Sequence, residues 1–357
     1  MTKVLAVRLD SLGDVLVTGP AIRAIASDPD VCEVVLLCGP QGRAAAELLP
    51  GGVRALEWAS PWTIVPSPAV TQQRIDRLRE MIAAEDFDEA VVFTSFHQSP
   101  LPLALVLRLA GVPRITGAST DFPGSLLDVR LKPGEDFPED QPEVERGLAI
   151  SAAAGYRLPE DDDGRMRITD PSGSYVDAGG PERPYIVLHP GAAAPARMWP
   201  PQHSAAAVEL LAARGDRVVV TGGPADTELT AAVAGTSGID LGGALDLAAT
   251  ADLLQHAEVV ITGNTGPAHL SAAVGTPIVS LFSPVVPSIR WAPYGVPVEL
   301  LGDQTVACRG TRARDCPVPG HPCLASVRPE DVVAAVDRLR AAHPRPLAHA
   351  PAERSAL

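Results

Sequence analysis

Aromatic residues are scarce, at 4% of the chain, so Ala, Val and Leu must fill most of any core. Basic residues are outnumbered: 29 Lys and Arg stand against 43 Asp and Glu, a formal net charge of −14. That balance argues against a nucleic-acid partner, because phosphate backbones need a basic face, though it leaves room for a small local basic pocket. Long hydrophobic runs are missing as well. The opening MTKVLAVRLDSLGD is broken by Arg8 and Asp10 and does not read as a signal peptide. The longest apolar candidate, PLPLALVLRLAG, carries Arg108 and is well short of the roughly 20 residues that span a bilayer. The expectation is a cytoplasmic protein with no transmembrane segment. Cysteine is sparse and odd in number: five in 357 residues do not make a secreted disulfide framework. Cys32 and Cys38 flank EVVLL and read as buried apolar residues. Cys308, Cys316 and Cys323 cluster with His321 in ACRGTRARDCPVPGHPC. They lack the short C-x-x-C pairs of structural zinc sites, so they read first as structural thiols, with one disulfide or a metal as alternatives. No metal site is assigned.

What is present is alternation. Apolar residues make up 46% of the chain, and its length suits two domains better than one. Short β-rich runs alternate with helical segments almost throughout, the pattern of α/β proteins with parallel sheets. In the first half the expected strands are 4–9, 33–38, 89–94 and 126–131, with helices over 14–27, 72–85, 101–110 and 141–154. A polar, Gly/Pro-rich interval follows, and Asp161–Asp163 within it reads as a solvated charge cluster rather than a metal motif. The second half restarts with strands at 185–189, 217–221, 258–262 and 278–282, and helices over 201–213, 226–234, 245–257 and 329–342; the last dozen residues read as frayed. Two Rossmann-like domains are expected, over 1–170 and 184–357, joined by a linker at 171–183. Their parallel sheets would face each other across a cleft.

Four stretches carry candidate chemistry. In VRLDSLGDVLVTGPA, residues 7–21, Gly13 permits a tight reversal from strand to helix, and Asp14 falls in the first helical turn. The residues alone fit two readings equally: a helix-capping aspartate, or a carboxylate held at the carboxyl edge of a sheet. In HPGAAAPARMWPPQHSA, residues 189–205, the small residues around Gly191 and Ala192 admit close backbone approach, and Arg197 supplies a cation suited to a diphosphate or, more blandly, a surface charge. In VVVTGGPADTE, Gly222 with Asp226 behind it fits a ribose contact or an ordinary first-turn acid. In EVVITGNTGPAHLSAAVGTP, residues 258–277, a strand enters Asn264–Thr265–Gly266, with Pro267 at the first helical position, Thr265 as cap and His269 following. That is a helix N-terminus ready for phosphate, or a plain βα turn in which His269 packs.

In order and spacing, VRLDSLGDVLVTGPAIRAI, HPGAAAPARMWP and TGNTGPAHLSAAVGTPIVSLFSP resemble glycosyltransferase family 9, the ADP-heptose heptosyltransferases; the late cysteine stretch resembles the family's tail. The resemblance implies a GT-B fold with an N-terminal acceptor domain and a C-terminal donor domain. It makes Asp14, of the S-x-G-D motif, the general base; Ser11 and Gly13 of that turn are acceptor-side candidates, and so is His97, just past the expected strand EAVVFT, which reads equally as a surface or core histidine. It places Arg197 at the donor phosphates and Asn264, Thr265, Gly266 and His269 at the donor sugar and diphosphate; the residue reading adds Gly191, Ala192, Gly222 and Asp226 to the donor-binding candidates. The family commonly has Asp where this chain has Asn264, a change that removes a charge and adds N–H donors. The implied function is metal-independent, inverting transfer of a heptose or related sugar from a nucleotide-diphosphate donor, ADP-linked, to a saccharide or glycoconjugate of the cell envelope such as a lipopolysaccharide core. No cofactor is expected. A nucleotide-sugar epimerase of similar bilobal fold and a non-catalytic nucleotide-sugar-binding protein are the alternatives. A dinucleotide oxidoreductase is disfavoured because DSLGD has no G-x-G-x-x-G.

Overall fold

The structure is a computed structural model; it describes every residue except 174, 176–179, 182–183 and 345–357. The frayed end expected of the last dozen residues lies outside the described residues, as does part of the expected linker. The chain forms two compact units, Met1–Asp170 with Ile289–Tyr294, and Pro171–Ser288 with Gly295–Leu357. The return of Ile289–Tyr294 to the first unit is a departure from two contiguous domains.

The first unit is built on six parallel strands: β1 (Thr2–Arg8), β2 (Val31–Cys38), β3 (Arg54–Glu57), β4 (Glu89–Val92), β5 (Arg114–Ala118) and β6 (Val129–Leu131), in the order β3-β2-β1-β4-β5-β6. The second carries β7 (Ile186–His189), β8 (Val218–Gly222), β9 (Ile239–Gly242), β10 (Val260–Gly263), β11 (Ile278–Leu281) and β12 (Val298–Leu301), in the order β12-β11-β10-β7-β8-β9. Counted within each unit the order is the same, 3-2-1-4-5-6, the doubly wound arrangement. The α/β class with two Rossmann-like parallel sheets is therefore the observed architecture. In such sheets ligands bind beyond the carboxyl ends of the strands, where the winding reverses: between β1 and β4, and between β7 and β10.

The central strands are apolar on both faces, as sheets covered by helices on each side require. Val4 to Val7, Val35 to Cys38 and Val218 to Val220 are all fully or almost fully buried. The helix Leu12–Ala26 is also buried nearly all round, and it lies so close to the helix Glu143–Ala154 that a Cβ on Gly147 would stand 3.4 Å from Ala21 Cβ. Ser151 Oγ completes that crossing by donating to Ala21 O at 3.1 Å. Helices at Gln72–Ala83, Leu101–Leu109, Pro201–Ala213 and Pro329–Ala342 occupy the expected places. β3, β5, β9 and β12 were not expected. Their sequences RALE, RITGA, IDLG and VELL present no apolar run, and β3, β9 and β12 are half-exposed edge strands. Among the described residues no helix is long and apolar enough to cross a membrane.

Candidate functional site

In the first unit the site begins where β1 ends. Arg8 is almost completely buried and its guanidinium serves two carboxylates: Nη2 lies 2.7 Å from Asp14 Oδ1, and Nε lies 3.0 Å from Asp10 Oδ2. Asp14 stands in the first turn of the helix Leu12–Ala26. Its Oδ2 accepts from Ser11 N at 3.1 Å and from Ser11 Oγ at 2.5 Å, and its Oδ1 also accepts from Ser95 Oγ at 3.4 Å. Both sequence readings of Asp14 thus hold at once: it ties down the helix start, and it sits at the β1/β4 reversal. Burial pushes its pKa up, but the Arg8 guanidinium and the Ser11 donors outweigh burial and hold it below the usual carboxylate value.

Asp10 has the opposite balance. Burial and the neighbouring Asp14 charge prevail over Arg8 and Gln98, and its pKa is raised to about 6. Gln98 Nε2 donates to Asp10 Oδ1 at 2.6 Å, while Gln98 Oε1 accepts from Ser95 N at 3.2 Å, which fixes the orientation of the amide. The Leu9–Asp10 backbone is pinned from behind by Gly39, where a Cβ would stand 2.4 Å from Leu9 O. His97 lines the same recess as Asp10 and Gln98, with its ring 5.2 Å from Phe96 in edge contact. Gly13 is buried in the first helical turn beside Asp14.

In the second unit three loops meet at the carboxyl ends of β7, β8 and β10. Gly191 and Ala192 follow β7, and the turn Pro195–Arg197 carries Arg197, whose Nη1 is 3.4 Å from Asn264 O. Gly263 permits this approach, since a Cβ there would stand 2.8 Å from Arg197 O. Asp226 Oδ2 accepts from Gly223 N at 3.0 Å; a Cβ on Gly191 would come within 2.9 Å of that oxygen, and one on Gly222 within 2.8 Å of Asp226 Cβ. The carboxylate is thus folded against both glycines. Asn264 is 5% exposed, and its amide bridges both backbone groups of Ser283: Nδ2 to Ser283 O and Ser283 N to Oδ1, each 3.4 Å. Thr265 occupies the N-cap position of the helix Gly266–Ala273, but its side chain makes no cap hydrogen bond, and Pro267 is the second helical residue rather than the first. His269 is 6% exposed within that helix.

The cysteine tail supports this edge. Arg314 O accepts from Ala196 N and Arg314 Nη2 donates to Ala193 O, both at 2.8 Å, and Cys308 packs with Ala196 and Val285. All five cysteines are free thiols, and among the described residues no group of three or more His, Cys, Asp or Glu could hold a metal ion.

The model of glycosyltransferase family 9 (heptosyltransferase) matches residues 75–320. The chain belongs to glycosyltransferase family 9. Among its relatives, lipopolysaccharide heptosyltransferase 3 of Escherichia coli is 30% identical over 170 residues, covering 46% of this chain and 49% of that protein. Lipopolysaccharide heptosyltransferase 1 of Escherichia coli K12 is 28% identical over 301 residues, covering 80% of this chain and 89% of that one. The chain thus spans about half the length of the first of these curated relatives. The solved structure of E. coli ADP-heptose lps heptosyltransferase II shares the fold at a TM-score of 0.72 and 22% identity, over 94% of this chain and 98% of that one.

Within this family-9 chain, sequence reasoning missed Arg8, Asp10, Ser95 and Gln98 on the first unit and His189 on the second. Two charges, one ending an otherwise apolar strand and one just past it, were the available signal for Arg8 and Asp10. His189 ends β7 with Nδ1 3.1 Å from Thr221 Oγ1; burial outweighs the attraction of Asp226 and lowers its pKa to about 4, so the imidazole is neutral.

Proposed function

We propose that this protein is an inverting glycosyltransferase that moves a heptose or related sugar from a nucleotide-diphosphate donor, ADP-linked, to a hydroxyl of a saccharide or glycoconjugate. Residues 1–170 bind the acceptor and 184–357 the donor. The observation that carries the reading is Asp14: a carboxylate kept ionised by Arg8 and Ser11 at the reversal point of the first sheet. As the acceptor oxygen attacks the anomeric carbon, its proton passes to Asp14 and the bond to the diphosphate breaks on the opposite face. A carboxylate of lowered pKa is a modest base. It suits a reaction in which the donor bond is well broken before the hydroxyl proton leaves, as in oxocarbenium-like glycosyl transfer. Charge gathering on the leaving diphosphate is met by Arg197, by backbone N–H groups of the 191–194 loop and by the start of the helix Gly266–Ala273. In this reading those groups meet the diphosphate charge without a metal ion. Asn264, Thr265, His269, Gly222 and Asp226 complete the donor side, and Ser11, Gly13 and His97 the acceptor side.

Calorimetric titration with ADP, UDP, GDP and ADP-heptose, with no metal added, tests the donor assignment. Selective binding of ADP-heptose is expected, and Asp14→Asn should lower ADP release about 100-fold or more while keeping donor affinity. Binding of UDP or GDP instead would change the donor. An Asp14→Asn variant with unaltered turnover would refute the base assignment, and wild-type binding without turnover would favour a non-catalytic nucleotide-sugar-binding protein.

A further inference from the structure

A cleft of about 400 Å³ opens within the first unit at the carboxyl ends of β1 and β4, where the winding of the sheet reverses. Asp10 lines it and Asp14 does not. The two carboxylates differ in what they have left to offer. Asp14 accepts four hydrogen bonds, from Ser11 N, Ser11 Oγ, Arg8 and Ser95. Asp10 accepts one hydrogen bond, from Gln98, and pairs with Arg8. Of the two it is the carboxylate with capacity to spare, and it lines the cleft.

The walls fit one class of ligand. Trp62, tilted at 55° against Trp58 with centroids 5.1 Å apart, gives an apolar wall continued by Ile64 and Pro100. Asp10, His97 and Gln98 bring hydrogen-bonding groups to the same space. Among the described residues no Lys or Arg lines the cleft, and Asp10 brings a negative charge, so a phosphate or carboxylate is not at home there. An apolar face joined to several hydrogen-bonding groups is the complement of an uncharged sugar ring, which has a C–H face and a rim of hydroxyls.

We propose that this cleft is the subsite for an uncharged pyranose ring of the acceptor, with Asp10 accepting a hydrogen bond from a ring hydroxyl and Trp62 covering the ring's C–H face. The proposal rests on the transferase reading and adds the chemical class of acceptor to it. The raised pKa of Asp10, about 6, still leaves the side chain ionised and accepting at neutral pH.

The test uses the full chain, ADP-heptose as donor and simple glycosides as probes: uncharged methyl hexosides and methyl heptosides against the anionic methyl glycoside of a 3-deoxy-octulosonic acid. ADP release is followed over the rate with water alone. The uncharged glycosides should accelerate release at millimolar concentration, and the anionic one should not. Asp10→Asn should raise the glycoside KM about tenfold or more with a smaller effect on kcat, and Trp62→Ala should do the same, with Trp62→Phe recovering most of the loss. ADP affinity by calorimetry checks that each variant is folded at its donor side. Stimulation by the anionic glycoside alone, or by no glycoside although wild type binds ADP-heptose, overturns the subsite and leaves the transferase reading standing. A fall in kcat at unchanged KM in Asp10→Asn also overturns it, because Asp10 would then act through Asp14. Failure of wild type to bind ADP-heptose removes the transferase reading and the subsite with it.

Discussion

Replacing Asp10 by Asn should stabilise the protein, and the size of the effect follows from the charges around it. The groups facing Asp10 are Arg8 at the end of β1 just before it, Asp14 on the following helix and Gln98 from the loop after β4. Burial and Asp14 prevail over the other two, and the pKa rises from 3.8 to about 6. The folded protein therefore holds this proton more tightly than the unfolded chain does. The stabilisation that the proton provides is complete below 3.8 and is lost as pH rises through about 6. One pH unit corresponds to about 1.4 kcal/mol, so the ionised side chain weakens the neutral-pH fold by as much as about 3 kcal/mol. Asn keeps the shape and the capacity to accept from Gln98 but carries no charge. Asp10→Asn should gain up to about 3 kcal/mol at pH 8, about half of that at pH 5, and little near pH 4. For a unit of this size the gain at pH 8 amounts to roughly 6–12 °C in melting temperature. Urea unfolding of wild type and variant at the three pH values measures it, since titrating groups that do not face Asp10 cancel in the difference. A variant less stable than wild type at pH 8 would refute the reasoning, because the Arg8 pair would then outweigh burial. So would an advantage that does not shrink as pH falls. A carboxylate that weakens its own fold has the character of a functional group.

The remaining expectations concern the second unit. Arg197→Ala should weaken ADP binding about 10- to 100-fold by calorimetry with the melting temperature little changed; unchanged affinity would remove Arg197 from the diphosphate. Gly263→Ala places a methyl 2.8 Å from Arg197 O, against backbone that must move. It should cost about 1–3 kcal/mol in urea unfolding and lower ADP affinity as well, and a loss of stability with full affinity would show that the Arg197 loop tolerates the shift. Asn264→Ala removes both bonds to the Ser283 backbone and should lower stability by about 1–2 kcal/mol. No loss of stability there would mean that the 3.4 Å bridge has no energetic weight.

Strands such as VVLLC and RVVVT could be read directly because central parallel strands are covered on both faces and must be apolar throughout. RALE and IDLG could not: they run along sheet edges, half in solvent, and take their strand conformation from a neighbour rather than from their own pattern. The site divides the same way. Asp14 and Arg197 lie in local motifs whose spacing is itself informative. The pairing of Asp10 with Gln98 joins positions 88 residues apart, and only the adjacency of β1 and β4 brings them together. Asn264, proposed for the donor side, has in the fold a long-range partner that no local spacing reveals, the Ser283 backbone.

The short segment Ile289–Tyr294 has a consequence for biosynthesis. Within the first unit, Arg290 lies with its guanidinium carbon 4.4 Å from the centre of the Phe96 ring and pairs with Glu139 at 2.7 Å, and its Nη1 is 3.9 Å from the buried Glu143. A chain leaving the ribosome has made the whole six-stranded sheet of that unit by Leu131, and Arg8 and Arg146 already face Glu143, yet the third cation near Glu143, the one that covers Phe96 and pairs with Glu139, is still unmade at residue 170. At ordinary translation rates the gap lasts on the order of ten seconds. Through that interval the nascent first unit carries an incomplete charge cluster, and a fragment cut at residue 170 would carry it permanently. Transplanting the first unit of this chain into another protein would therefore require moving two pieces of sequence, the second of them only six residues long.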